Sequence, residues 1–85
     1  MMTSGQLRAA RALLGIDQKT LAGLADVSLP TIQRMEASDG VVRGTVDTLT
    51  KVVDALSRAG VELIGENVRS ESGGRGVRLR PPPNQ

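Results

Sequence analysis

Apolar residues recur through residues 4–58 at spacings of three and four, which is the pattern of amphipathic α-helices. The pattern predicts four short helices, which run from Ser4 to Gly15, from Gln18 to Ala25, from Ser28 to Ala37 or Ser38, and from Thr45 to a point before Gly60. The last helix has the clearest apolar stripe, formed by Val46, Leu49, Val52, Val53 and Leu56. Helices of this length are marginal alone, so we expect them to share one aliphatic core.

Several residues are suited to the predicted helix ends. Asp17, Ser28 and Thr45 each stand where a side-chain oxygen can accept a hydrogen bond from the free backbone N–H groups of a first turn. Gly15 suits the left-handed C-cap of the first helix. The segment 39–44 contains two glycines and is predicted to be a loop.

The second and third helices form the most informative segment, Asp17 to Glu36. Their core-facing residues are expected to be Leu21, Ala22, Ala25, Ile32 and Met35. The side chains left on or near the outer face of the third helix are Leu29, Pro30, Thr31, Gln33 and Arg34. Two short helices around a tight turn, the second with such a polar face, indicate a helix-turn-helix and therefore duplex DNA as the partner.

The C-terminal third predicts two β-strands. GVELIGE and GVRLR both alternate aliphatic with polar residues, and antiparallel pairing would place Glu62 opposite an arginine. A two-stranded ribbon alone is marginal in water, so it must pack on the helices or join a sheet from another subunit. We favour sheet formation across a homodimer, with the dimerisation residues Val61, Leu63, Ile64, Val77 and Leu79. A long loop, roughly 67–75, would join the strands, and the final residues, 81–85, would form an extended or disordered tail.

These elements predict a mainly α fold in which a four-helix domain precedes a two-stranded β element. The expected divisions are a helix-turn-helix DNA-binding domain over 1–58, a β-strand dimerisation element over 59–80, and a tail over 81–85.

Composition narrows the function. The 85 residues include no Phe, Tyr or Trp, so the stacking platforms usual for single-stranded nucleic acid are missing. The absence of Cys and His argues against zinc sites and removes the commonest general base, and the carboxylates are scattered. We therefore expect no enzymatic activity, no cofactor and no metal. No apolar run has the length of a membrane span, and no signal-peptide core is present, so we expect a cytoplasmic protein without membrane contact.

The net charge of +2 is unevenly distributed. Residues 1–45 carry a net charge of +1, residues 46–66 carry −2, and residues 67–85 carry +3. Most of the basic excess therefore lies outside the helix-turn-helix, and DNA binding depends on where individual basic side chains project.

Residues 4–58 resemble the helix-turn-helix domain of the lambdoid phage repressor and Cro superfamily, also called the XRE family. The resemblance lies in LRAARALLGIDQKTLAGLADVSLPTIQRMEAS and in the helix that follows Thr45. It implies that Gln18, at the start of the second helix, contacts the DNA backbone. It also implies that Arg11 pairs with Glu36 and so orients the third helix. The predicted C-terminal strands depart from the five-helix version of this family.

The sequence also departs from the family pattern in the motif itself. Asp26 occupies the turn position usually held by Gly, where positive φ carries a modest penalty that Asp tolerates. Leu29 and Pro30 stand where many relatives place polar readers, so Leu29 is expected to contact a thymine methyl group. Base readout should then depend on Thr31, Gln33 and above all Arg34, which can bond both major-groove acceptors of guanine.

Other polar residues are expected at the phosphates, assisted by helix N-termini. They are Gln18, Lys19, Ser28, Arg43 and Thr45. Capping and solvation are the simpler roles open to them, and for Thr45 the cap could be its whole role.

The expected function is a sequence-specific regulator of transcription, more readily a repressor, that binds an inverted-repeat operator as a homodimer. Two-fold symmetry would place the half-sites about 34 Å apart. Two alternatives stay open: an antitoxin that represses its own operon and engages a toxin, and a protein-interaction adaptor that does not read DNA. Contact with RNA polymerase is also left open.

Overall fold

The computed structural model describes residues 2–65, 69 and 76–79. The elements in them are the helices α1 (Ser4–Leu14), α2 (Gln18–Ala25), α3 (Leu29–Ala37) and α4 (Val46–Arg58), followed by the strands β1 (Val61–Ile64) and β2 (Gly76–Leu79). The fold is therefore mainly α with a C-terminal antiparallel ribbon, which confirms the fold class predicted from the sequence. The predicted tail, 81–85, and all but Arg69 of the predicted loop, 67–75, lie outside the described residues.

Side-chain caps start all four helices, and those of α2, α3 and α4 are the predicted residues. The carboxylate of Asp17 accepts the Thr20 N–H at 2.7 Å, and the hydroxyls of Ser28 and Thr45 accept the N–H three residues on. For α1 the cap is Thr3, whose hydroxyl accepts the Gln6 N–H while the Gln6 side chain accepts the Thr3 N–H. These bonds satisfy amides that the first turn of a helix leaves free.

One aliphatic core unites the helices and the ribbon. Its largest fully buried side chains are Leu7, Leu21, Ile32, Met35, Val52 and Leu56. The expected stripe of α4 needs one correction: Leu49, Val52 and Leu56 are buried and Val53 is half-buried, but Val46 is 80% exposed. Val46 is the first residue of α4, where the helix has not yet reached the core, so helical spacing alone overstates its burial.

The segment predicted to be a loop packs more closely than that description implies. Val42 is buried together with Met2, and the Val42 N–H donates to the Met2 carbonyl at 2.9 Å. Thr3 and Val41 form an isolated antiparallel bridge, and the Ser4 N–H donates to the Gly40 carbonyl. These bonds hold the chain between α3 and α4 against the segment that precedes α1.

The two strands pair with each other inside one chain. The register matches Val61 with Leu79, Glu62 with Arg78, and Leu63 with Val77. Glu62 and Arg78 form an ion pair at 2.8 Å, as the alternating pattern predicts.

The ribbon packs on α1 and α4 of its own chain. Val61 is buried, and Leu63 and Val77 pack against the same core. These three of the five predicted dimerisation residues therefore face their own helices, and their use between subunits stays a prediction. The half-buried Ile64 lies on the alternate face of β1, and Leu79 is described here only by its backbone pairing. A ribbon too weak to stand alone finds the apolar surface it needs within the same chain.

Candidate nucleic-acid interface

A tight turn sets the angle between α2 and α3. Asp26 adopts the left-handed conformation at φ 57° and ψ 47°, and its N–H donates to the Gly23 carbonyl. The Val27 N–H donates back to the Ala22 carbonyl at 3.0 Å, and the Val27 side chain packs against the core. This is the Schellman arrangement, in which glycine usually stands at the position of Asp26. The turn therefore keeps its geometry although the residue differs.

The inner face of α3 is fixed by a buried carboxylate. Glu36 is only 5% exposed, and it accepts two hydrogen bonds from Arg11: from Nε at 2.8 Å and from Nη2 at 2.9 Å. The Gln18 amide donates a third at 3.2 Å. Arg11 also donates from Nη1 to the Ile16 carbonyl. One cluster thus joins α1, the start of α2 and the end of α3, and it contains the ion pair that the resemblance implies.

The charges in this cluster stabilise each other. Burial raises the pKa of the Glu36 carboxyl, but the hydrogen bonds from Arg11 and Gln18 and the charges of Arg11 and Arg8 outweigh it, so the pKa lies below its usual value. The hydrogen bond to Glu36 raises the pKa of Arg11. Glu36 is therefore ionised at neutral pH, as the bidentate geometry requires.

The outer face of α3 comprises Leu29, Pro30, Thr31, Gln33 and Arg34, the five predicted base-contacting residues. Pro30, Gln33 and Arg34 are exposed, whereas Leu29 and Thr31 are half-buried. Thr31 is also engaged locally, because its hydroxyl lies 2.8 Å from that of Ser28 and 3.5 Å from Nη2 of Arg34. The side chains most available to a partner are therefore Gln33 and Arg34.

The predicted phosphate-contacting residues fall into two groups. Lys19 and Arg43 are exposed, and among the described residues neither makes a hydrogen bond or an ion pair. Ser28 and Thr45 are exposed but act as helix caps, which is the simpler role foreseen for them. Gln18 is half-buried and its amide nitrogen is directed to Glu36. The structure places Gln18, Lys19 and Ser28 at or beside the N-termini of α2 and α3, and Arg43 and Thr45 just before α4.

Arg8 contributes to the cluster around Glu36, a role that the sequence did not predict. Its Nη1 donates to the Glu36 backbone carbonyl at 2.6 Å, which satisfies an acceptor near the C-terminus of α3. Helical spacing offered a signal, because Arg8 precedes Arg11 by three residues and therefore lies on the same side of α1. Two arginines of α1 thus hold the end of α3.

Gln6 was also missed. It is buried, and its amide nitrogen donates to the carbonyls of Ile64 and Gly76, at 3.1 and 3.0 Å. These bonds fix the ribbon to α1. The sequence carried no signal for this role beyond the glutamine three residues after Thr3.

Comparisons with known proteins add no family. No protein-family model matches the chain, and no curated protein matches its sequence. Among the described residues no cluster of acidic side chains could hold a metal ion, and no helix there is long and apolar enough to cross a membrane.

Proposed function

We propose that this protein is a sequence-specific double-stranded DNA-binding regulator of the XRE type, acting in the cytoplasm as a homodimeric repressor on an inverted-repeat operator. The observation that supports this most is the division of α3 into two faces. Ile32, Met35 and Glu36 are buried on the inner face, where the Glu36 carboxylate is hydrogen-bonded, while Gln33 and Arg34 are exposed on the outer face. A helix whose inner face is fixed in the core and whose outer face is exposed to solvent is suited to binding in the major groove.

Arg34 is the proposed main reader. Its guanidinium is exposed, and its closest polar contact in the described chain is the 3.5 Å approach to Thr31. That contact is weak enough for the side chain to turn to a base edge. A bidentate bond to guanine is worth about 1–3 kcal/mol of discrimination against other bases. Gln33 can make the corresponding pair of bonds to adenine, and Leu29 is the proposed contact to a thymine methyl group.

Backbone contacts are assigned to the flanking residues. Lys19 lies in the first turn of α2 and Arg43 lies two residues before the cap of α4, so both positive charges stand beside helix N-termini that favour anions. Ser28 and Thr45 are proposed to add hydroxyl contacts beyond their caps, and Gln18 to offer phosphates the part of its amide that Glu36 does not use. These contacts would position the protein without reading sequence.

The decisive experiment selects bound sites from random duplexes and measures binding of the enriched sequence by a salt-dependent gel shift. For Arg34→Ala we expect a loss of discrimination between the selected site and its single-base variants, with nonspecific binding retained. For Lys19→Ala we expect weaker binding to every duplex and a shallower salt dependence. Thr20→Ala is the matched control, since Thr20 is exposed and adjacent to Lys19.

If the folded wild-type protein and all variants fail to shift any duplex at low salt, the proposal is wrong and a protein partner must be sought instead. If an asymmetric site is selected, DNA binding stands and the inverted repeat does not.

A further inference from the structure

The exposed side of α4 carries an apolar surface at the edge of the core, where Val46 is mostly exposed and Val53 is half-buried. Val46 is 80% exposed, and a shallow hollow along the helix is lined by Val46, Leu49, Thr50, Val53 and Asp54. Val61, Leu63 and Val77 of the ribbon pack against the core of their own chain, whereas Val46 on α4 is left exposed and available to a second copy.

A row of alternating charges borders this surface. Asp47, Lys51, Asp54 and Arg58 follow each other at spacings of four, three and four residues, which places them along one side of the helix. The Lys51 ammonium lies 3.6 Å from the Asp47 carboxylate; Asp47, Asp54 and Arg58 are exposed, and Lys51 is half-buried. The Arg58 guanidinium also donates long hydrogen bonds to the carbonyls of Asp54 and Leu24, at 3.3 and 3.5 Å. Read from either end, the row changes sign at each step.

This row is complementary to itself when reversed. In an antiparallel pair of α4 helices, Asp47 meets the partner's Arg58 and Lys51 meets the partner's Asp54, and the same register satisfies all four charges. In a parallel pair the two bordering rows would lie on opposite sides of the interface and would not meet. In an antiparallel pair, sliding one helix by one turn brings like charges together, and sliding it by two turns leaves two of the four charges without a partner. Only a twofold axis between residues 52 and 53 pairs the entire row.

We propose that a second copy of this chain docks on α4 in this antiparallel register, with Val53 against the partner's Val53 at the axis. The inference rests on the homodimer of the proposed function and names its interface. Apolar contact along the hollow supplies the attraction, while the exposed ion pairs chiefly fix orientation and register. Val46 directly follows Thr45, so the interface would adjoin a proposed phosphate contact.

Two complementary variants test the register. Lys51→Glu places a carboxylate opposite the partner's Asp54, and Asp54→Lys places an ammonium opposite the partner's Lys51. Because each substitution brings like charges together, each alone should raise the dimer dissociation constant about tenfold or more. Analytical ultracentrifugation without DNA measures this constant. An equimolar mixture should recover the wild-type constant, because both contacts across a mixed dimer are then attractive. A folding defect could not be rescued in this way. The matched control pair, Asp39→Lys with Arg69→Glu, changes exposed charges outside α4 and should alter neither the separate nor the mixed constants.

Disulfide crosslinking tests the position of the twofold axis directly. The chain contains no cysteine, so a single introduced cysteine can crosslink only to its copy in the partner. Under mild oxidation Val53→Cys should give a disulfide-linked dimer, whereas Leu13→Cys, on α1, should stay monomeric on a reducing-agent-free gel. If the wild type dimerises but the charge variants do not change the constant, or if Val53→Cys does not crosslink, the α4 interface is wrong and the proposed DNA reader is untouched. A wild type that stays monomeric free and on DNA overturns the interface and the homodimer together. Dimerisation without any DNA shift leaves the interface standing and refutes the proposed function.

Discussion

Replacing Arg11 by Met should destabilise the whole fold, although Arg11 is not part of the core. The substitution removes both hydrogen bonds to the Glu36 carboxylate and the bond to the Ile16 carbonyl, while it keeps a side chain of similar length. Glu36 stays 5% exposed and retains only the Gln18 amide, at 3.2 Å, as a side-chain donor. A buried carboxylate would then have lost its counter-ion.

The size of the loss follows from that geometry. Breaking a buried ion pair by removing one partner costs about 3–5 kcal/mol, mostly because the remaining charge is poorly solvated. A domain of this size has a total free energy of unfolding near the lower end of about 5–15 kcal/mol. For a domain of this size, each kcal/mol of lost unfolding free energy lowers the melting temperature by about 4 °C or more. A loss of about 3 kcal/mol should therefore lower it by at least about 12 °C.

Urea denaturation followed by circular dichroism measures the effect, and a double variant provides its control. In Arg11→Met with Glu36→Met, no buried charge remains, so the free energy of unfolding should recover to within about 1–2 kcal/mol of wild type. The double variant separates the cost of an uncompensated charge from the net contribution of the pair.

The pH dependence gives an independent check. In the wild type the pKa of Glu36 is lowered on folding, so its contribution to stability is present above the unfolded pKa of about 4.3 and is lost as pH falls through the folded value. Without Arg11, burial raises the pKa of Glu36 instead. Protonation of Glu36 at lower pH then removes the unpaired buried charge that destabilises the variant. The stability difference between Arg11→Met and wild type should therefore narrow below about pH 5. A loss of less than about 1 kcal/mol at pH 7, or a difference that stays constant with pH, would refute the reasoning.

Two further predictions concern the ribbon and the turn. Gln6→Leu removes the donor to the Ile64 and Gly76 carbonyls and also the acceptor of the Thr3 N–H, and it should cost about 1–3 kcal/mol. Hydrogen exchange of the β1 amides should accelerate more than that of α2, whereas equal acceleration everywhere would contradict a local role. Asp26→Gly should stabilise the fold by about 0.5–1 kcal/mol, because glycine adopts a φ of +57° more readily than aspartate does. Asp26→Ala should give no stabilisation, and chemical denaturation of both variants measures the difference.

The sequence predicts the helices well because each one carries its own signals. Asp17, Ser28 and Thr45 are caps that act within three residues, and the apolar spacing of α2 and α3 reports a core that those residues themselves build. Asp26 is informative for the same reason, since the left-handed turn is a local property of the chain.

The remaining features depend on contacts between distant segments, which leave weaker signals. The Gln6 side chain reaches residues that are 58 and 70 positions away in the sequence, and nothing near Gln6 announces those partners. Alternation in the strands predicted an arginine opposite Glu62, and the structure shows that it is Arg78. It did not predict which surface the strands cover, because a pattern of period two is the same whether that surface belongs to the helices of the chain or to another subunit. The exposure of Val46 likewise depends on where α4 enters the core.

The position of Glu36 connects the stability of the fold to the proposed reading of DNA. Its carboxylate binds Arg11 and Gln18, and its backbone carbonyl binds Arg8, so the end of α3 and the start of α2 cannot shift independently without breaking buried charged contacts. A base contact by Arg34 needs α3 placed to within a fraction of an ångström, and few basic residues surround it to compensate for an error. We therefore expect loss of Arg11 to weaken operator binding beyond its effect on the folded fraction, and binding titrations at temperatures where the variant is fully folded measure that excess directly.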